Sequence, residues 1–183
     1  MEHRATRIDP SRPPRATEVD ATMLDVRAVA NKVLDRADKS GIDVTNMALN
    51  KIVYFVHCDH LLERGDPLVR AKIEAWKHGP VFREVYHEFK KWDDKPIRSR
   101  ATKVDPTTGE VVLAAAHFGA DEDKYISSLI DRYLHFTAAH LRAISHTEGG
   151  PWYVVWDHEG NSNPGMQITD DLIRKHYSSG ARQ

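Results

Sequence analysis

The chain has 183 residues, 26 of them basic and 27 acidic, for a formal charge of −1. So even a balance excludes recruitment to nucleic acid or anionic lipid by bulk charge. The longest unbroken apolar run, Val111 to Ala116, is far too short to span a bilayer, and a lone cysteine, Cys58, excludes an intramolecular disulfide. A chain of this length buries roughly 70% of its unfolded surface and needs no metal or disulfide to hold a core.

Residues 1–20 hold Pro10, Pro13 and Pro14 among Arg4, Arg7, Arg12 and Arg15, with no apolar periodicity. The segment lacks the apolar stretch of an export signal and reads as a flexible extension, so the cytoplasm is the expected compartment. A first helix is predicted from Met23 to Lys39, with Val26, Val29, Ala30, Val33 and Ala37 on one stripe and Gly41 as its stop. A second starts at Thr45 or Asn46 and ends at Arg64 before Gly65. Its apolar residues fall on two faces, Leu49, Ile52, Val53 and Val56 on one and Phe55, Cys58 and Leu62 on another, which marks a helix packed on several sides. By the same period His60 continues the inward stripe and His57 falls on a flank.

Lys72 to Trp76 reads as a short extended segment. Gly79-Pro80 is expected to open a third helix, proline near its first position, with Phe82, Val85, Tyr86, Phe89 and Trp92 on the buried face. Val104 to Val111 reads as two short strands around a turn. A fourth helix is predicted from Asp121 or Glu122 to His135, and a fifth from a Thr137 cap to His146. Gly149-Gly150-Pro151 reads as a turn leading into Trp152–Trp156, and Thr169 caps a last helix to about Tyr177. The fold class is therefore mainly α: a single compact helical domain, residues 21–183, with a small β-hairpin.

Signatures of catalysis are sparse. No phosphate-binding loop, dinucleotide fingerprint, H-E-x-x-H, nucleophile elbow or paired C-x-x-C occurs. His57 and His60, three apart, are half of a conceivable metal site, but two ligands do not make one and Asp59 lies off their face. Cys58 sits mid-helix on an apolar face, where burial makes a thiol inert. His146 and Glu148 fit a chain reversal as well as an acid–base pair. Between Lys90 and Lys103, six bases (Lys90, Lys91, Lys95, Arg98, Arg100, Lys103) face only Asp93 and Asp94, a local net of +4 suited to an acidic partner or to solvent.

Three blocks carry a resemblance: Leu49-Asn50-Lys51-Ile52-Val53-Tyr54-Phe55; His60-Leu61 with Gly65-Asp66-Pro67-Leu68; and Glu74-Ala75-Trp76-Lys77-His78-Gly79-Pro80-Val81-Phe82-Arg83-Glu84-Val85-Tyr86. Together with a late His146, Thr147, Glu148 and Trp152, they resemble the Panacea antitoxin domain family of SocA-like, phage-associated proteins. The similarity runs from about Leu24 to Val155, and the Ala-Trp…Gly-Pro-Val…Val-Tyr block is its specific part. Departures are Ile52 for the commoner leucine, Val56 for a small residue, and His57-Cys58-Asp59 where Gly-Trp is common before His60.

The resemblance implies an antitoxin that neutralises a cognate toxin by direct protein contact, with no catalytic residue, cofactor or metal. Some members act instead as adaptors that deliver a toxin to a protease. The expected partner-binding residues are Trp76, Lys77, His78, Glu84, Lys91, Lys95 and Arg98. Lys51, Tyr54, His60, Gly79, Pro80, Tyr86, His146 and Trp152 are expected to be structural. Two rival readings follow from the residues alone: a His-dependent metal hydrolase, and nucleic-acid binding through the basic loop, for which no interleaved aromatics speak.

Overall fold

The computed structural model describes residues 23–157 and 164–178; the expected extension over residues 1–20 lies outside them. Helix α1 spans Val26–Ser40. It begins three residues later than Met23 because Asp25, in extended conformation, takes the cap position and its carboxylate accepts the Arg27 N–H. Helix α2, Asn46–Arg64, runs between the expected limits: the Thr45 hydroxyl accepts the Ala48 N–H, and Gly65 closes the helix at φ +84°.

Fourteen of the nineteen residues of α2 are buried, so it is enclosed on nearly every side. Around it lie α1, α3 (Arg83–Phe89), α4 (Ala120–Leu134), α5 (Ala138–Ser145) and α7 (Asp170–Ser178). Thr137 caps α5 by accepting the His140 N–H, and Thr169 caps α7 by accepting the Leu172 N–H. A further helix, α6, covers Pro151–Asp157. Here a proline does open a helix, at the segment whose conformation the sequence left as a turn.

Two small sheets complete the fold. Strands β1 (Ile73–Trp76), β2 (Gly79–Phe82) and β5 (Gln167–Ile168) form an antiparallel sheet with β1 in the centre. Its register pairs Ile73 with Phe82, Trp76 with Gly79, and Ile73 with Ile168. The expected third helix from Gly79-Pro80 is thus corrected. Those residues form an edge strand, where a proline's missing N–H leaves no ladder bond unmade, and the helix starts at Arg83. Asn50 stabilises this arrangement from α2, its Oδ1 accepting the buried Phe82 N–H at 3.0 Å. The second sheet is the expected hairpin, β3 (Thr102–Val104) paired with β4 (Val111–Leu113), whose turn is closed by Asp105 Oδ1 accepting the Thr107 and Thr108 N–H groups.

The histidines of α2 exchange the places expected of them. His57 is buried, and its Nε2–H donates to Asp170 Oδ1 at 3.0 Å, tying α2 to α7. His60 is half-buried near the helix end and donates through Nδ1 to the Asp66 carbonyl. The two apolar faces of α2 leave His57 on a flank by the helical period alone. The return of α7, which brings Asp170 to His57, buries that flank too. Asp59 is also buried, accepting from the Tyr133 hydroxyl at 2.8 Å and from Arg132 at 3.0 Å.

Asn31 joins α1 to the hairpin. Its amide donates to the carbonyls of Ala101 and Ala114, at 2.9 and 2.8 Å, and its oxygen accepts the Ala101 N–H at 2.7 Å, all of them buried. Asn31→Ala strands two buried backbone groups, the Ala101 N–H and the Ala114 carbonyl, while the Ala101 carbonyl keeps the Ala114 N–H at 3.0 Å. The expected cost is about 2–4 kcal/mol, because an unsatisfied buried group costs roughly 1–3 kcal/mol and some relax toward water. Urea unfolding measures the loss, and amide exchange of residues 101–114 accelerates first.

Candidate partner-binding groove

Lys77 and His78 form the two-residue turn between β1 and β2, and both are exposed. Trp76, the last residue of β1, is half-buried; its indole N–H donates to Glu74 at 2.8 Å, and its ring meets that of Tyr86 edge-on, centroids 4.8 Å apart at 64°. Tyr86 comes from α3, a full turn after the strand ends. The short strand and immediate helix therefore set the two rings side by side. Across from them lies the first turn of α2, where Met47 is 40% exposed. Between these walls runs a groove of about 620 Å³, lined also by Val81, Lys90, Asp93, Asp94 and Ala138.

Lys51 lines the groove's floor and is only 1% exposed. Its ammonium donates to the Pro80 carbonyl at 2.9 Å, and among the described residues it forms no ion pair. Burial, helped by the charge of Arg142, lowers its pKa from 10.5 to about 7. The neighbouring backbone explains Gly79. Its φ is +103°, and a Cβ there would lie 2.5 Å from Lys51 Cε, 2.8 Å from Ser145 Oγ and 3.0 Å from His146 Cε1. Only glycine meets both the conformation and the space.

Behind Gly79 the packing continues. The His146 ring lies 3.7 Å from that of Trp152 by centroids, and its Nδ1–H donates to the Arg142 carbonyl at 2.7 Å, while Nε2 is buried without a hydrogen bond among the described residues. Burial holds the imidazole's pKa below its ordinary value, so the ring is neutral at pH 7. Trp152 donates from its indole to the Trp76 carbonyl at 2.9 Å. Lys51, Gly79, Pro80, Tyr86, His146 and Trp152, far apart in sequence, thus converge on one place. Tyr54 and His60 do not: Tyr54 is buried farther along α2 against Phe55, and His60 lies beyond it.

The surface residues divide similarly. Trp76, Lys77 and His78 line the groove. Glu84 faces a separate depression beside Arg27 and Arg70. Lys91 and Lys95 are exposed beyond the groove's edge, and Arg98 is engaged with Asp43 at 2.7 Å. Arg100 is likewise held by Asp35 and Asp38 of α1, so the loop's +4 is partly neutralised within the fold. Met47 and Val81 went unmarked in the sequence. A methionine in the opening turn of a buried helix is the available signal for the first; Val81 stands in the Gly-Pro-Val block but not among the expected partner-binding residues. Among the described residues no three His, Cys, Asp or Glu side chains are grouped to hold a metal, and His57 and His60 are bonded to different elements.

A depressed lysine pKa has a signed consequence. Between about pH 7 and 10.5 the unfolded chain holds a proton on Lys51 that the folded chain lacks, so stability rises with pH across that window. From pH 7 to 9 the gain is of order 2 kcal/mol. Urea unfolding shows this slope in the native protein, and Lys51→Met flattens it. Gly79→Ala is expected to cost about 3 kcal/mol in the same assay, from backbone strain and overpacking.

The model of the family described as "Antitoxin SocA-like, Panacea domain" matches residues 49–153. This span includes α2 from Leu49 onward, the β1–β2 turn, α3 and Trp152. The protein named Antitoxin SocA from Caulobacter vibrioides (strain NA1000 / CB15N) is 36% identical over 159 residues, covering 86% of this chain and 85% of that relative. No solved structure matches. With more than half its length matched by the family model and a relative aligned over most of both chains, this protein belongs to the SocA-like antitoxin family that carries the Panacea domain.

Proposed function

We propose that this chain is the antitoxin of a toxin–antitoxin pair and that it neutralises its toxin by direct contact through the groove walled by Trp76 and Tyr86. The observation that carries the reading is the partly exposed aromatic pair Trp76–Tyr86 facing Met47 across a preformed groove, in a chain of an antitoxin family. Inhibition by occupancy requires a stable surface with a few aromatic anchors and a polar rim, and no reactive group. The groove has that composition: rings and Met47 inside, Lys77, His78, Lys90, Asp93 and Asp94 around them. Lys91, Lys95 and Arg98 extend the rim, and their role is to speed encounter rather than to add affinity. A standard interface of about 1,200–2,000 Å² would reach from the groove to that loop. The cytoplasm is the proposed site of action. Among the described residues no helix is long and apolar enough to cross a membrane.

The test is co-expression with the product of the adjacent reading frame. That product alone is expected to arrest growth, and this chain to restore it. Trp76→Ala combined with Tyr86→Ala is expected to fold normally, since both rings are partly exposed, and to weaken binding by 100-fold or more, about 3 kcal/mol. Growth rescue and titration calorimetry read the loss. Toxin abundance separates the mechanisms: a blocker leaves it unchanged, whereas an adaptor for proteolysis lowers it only when the protease is present. Salt-dependent DNA binding lost on changing Lys95, Arg98 and Arg100 to alanine would point instead to the nucleic-acid reading.

A further inference from the structure

Backbone bonds join Ala101 to Ala114 and Asp105 to Glu110 at the two ends of the β3–β4 hairpin. Bonded and non-bonded pairs alternate in an antiparallel ladder. Lys103 therefore bonds Val112, and the peptide groups of Thr102, Val104, Val111 and Leu113 point away from the neighbouring strand. On β3 the Thr102 carbonyl is taken by Arg27, itself held by Asp25, which blunts that edge. On β4 the N–H and C=O groups of Val111 and Leu113 have no partner among the described residues. This free edge opens the longest apolar run of the chain, Val111 to Ala116. The side chains of Val104, Val111 and Leu113 share one face and are between 55% and 70% exposed. A two-stranded ribbon of this kind is marginal until further strands join it.

We propose that β4 pairs antiparallel with β4 of a second copy of this chain, joining two hairpins into one sheet about a two-fold axis through Val112. The edge matches itself. Its outward groups belong to the residues on either side of Val112, so the axis sets Val111 opposite Leu113 of the second copy, and each pair exchanges both of its bonds. Val111 and Leu113 then cover one another's flanks as cross-strand neighbours. The same register sets Glu110 of one copy opposite Ala114 of the other. Glu110, Val112 and Ala114 alternate with the exposed pair and so share the face turned to the body of the molecule. Ala114 borders a depression beside α1 and α4 whose charged residues are Lys32, Asp35, Arg36, Lys39 and Asp123. Lys32 pairs with Asp123, Arg36 with Asp131 and Asp35 with Arg100. Lys39 is left without an ion pair among the described residues, and Glu110 is in the same condition; both are exposed. Pairing brings each toward the other across the interface, and symmetry does so twice. This charge match, unmet within one copy, favours a second copy over a foreign strand. With β3 blunted, the assembly closes at two chains. The Trp76–Tyr86 groove shares no lining residue with this depression, so the proposal stands apart from the reading of that groove.

Sedimentation equilibrium of the full-length protein reads the result. The mass is expected to be 20.8 kDa on dilution and to rise to twice that, and no further, above about 100 μM, as suits a small interface. Exchange of the Val111 and Leu113 amides is expected to slow over the same range. Leu113→Pro removes an N–H that no described residue accepts, and it is expected to weaken the dimer roughly tenfold or more. Glu110→Lys is expected to weaken it about threefold, and Glu110→Lys combined with Lys39→Glu to restore it. Should Leu113→Pro fail to fold, the charge swap and the concentration dependence of amide exchange in the native protein decide alone. A monomer at every concentration, assembly beyond two chains, or a dimer of unchanged strength in folded Leu113→Pro would overturn the proposal. Val111 and Leu113 amides protected at every dilution assign the edge to a segment of the same chain. Protection only on adding the product of the adjacent reading frame assigns it to that protein. Either outcome also overturns the second copy.

Discussion

Burying one lysine amine dictates much of this molecule's local architecture. Lys51 lies inside a helix that its neighbours enclose, and its acceptor is a carbonyl of the edge strand. Holding that carbonyl in place requires β2 to run close over α2, and so close an approach leaves no room for a side chain at Gly79. The turn before Gly79 presents Lys77 and His78, and the strand before that turn delivers Trp76 to Tyr86. The groove's walls therefore follow from how its floor is built.

The same dependence links parts of the chain that are distant in sequence. Trp152 anchors the Trp76 carbonyl from α6, and His146 fills the space between Trp152 and Gly79. The late His146…Trp152 element and the Trp76…Tyr86 block appear as separate motifs in the sequence but form a single packed unit. His146 serves there as a neutral, space-filling ring, which gives its place beside Glu148 a structural explanation without any need for proton transfer.

Elements whose limits are set by local chemistry were legible in the sequence. Thr45, Thr137 and Thr169 cap helices through their own hydroxyls, and Asp105 closes a hairpin turn with its own carboxylate. What escaped depends on tertiary context. Pro80 satisfies the rule for a helix start and the rule for an edge strand equally well, and only the pairing with β1 and the bond from Asn50 decide between them. His57 and His60 are three residues apart on a helix with two apolar faces, so which is buried depends on where α7 returns, more than a hundred residues later. The block from Trp76 to Tyr86 is where the sequence places the patch, but it puts Tyr86 on a buried helix face, and the ring instead stands 36% exposed in the groove wall. The contribution of Met47 was not legible, because it comes from the helix before.

The groove is bounded on one side by the opening turn of α2, and α2 is also the hub on which five other helices rest. A ligand seated there therefore grips the hub at its start while resting on β1–β2 and α3, so local opening of either wall must first release it. By mass action such a ligand at a hundredfold excess over its Kd adds about 2.7 kcal/mol to the folded state. Occupied molecules should accordingly resist cellular proteases for longer than empty ones, and the amount of this protein in a cell would then track the abundance of whatever it holds.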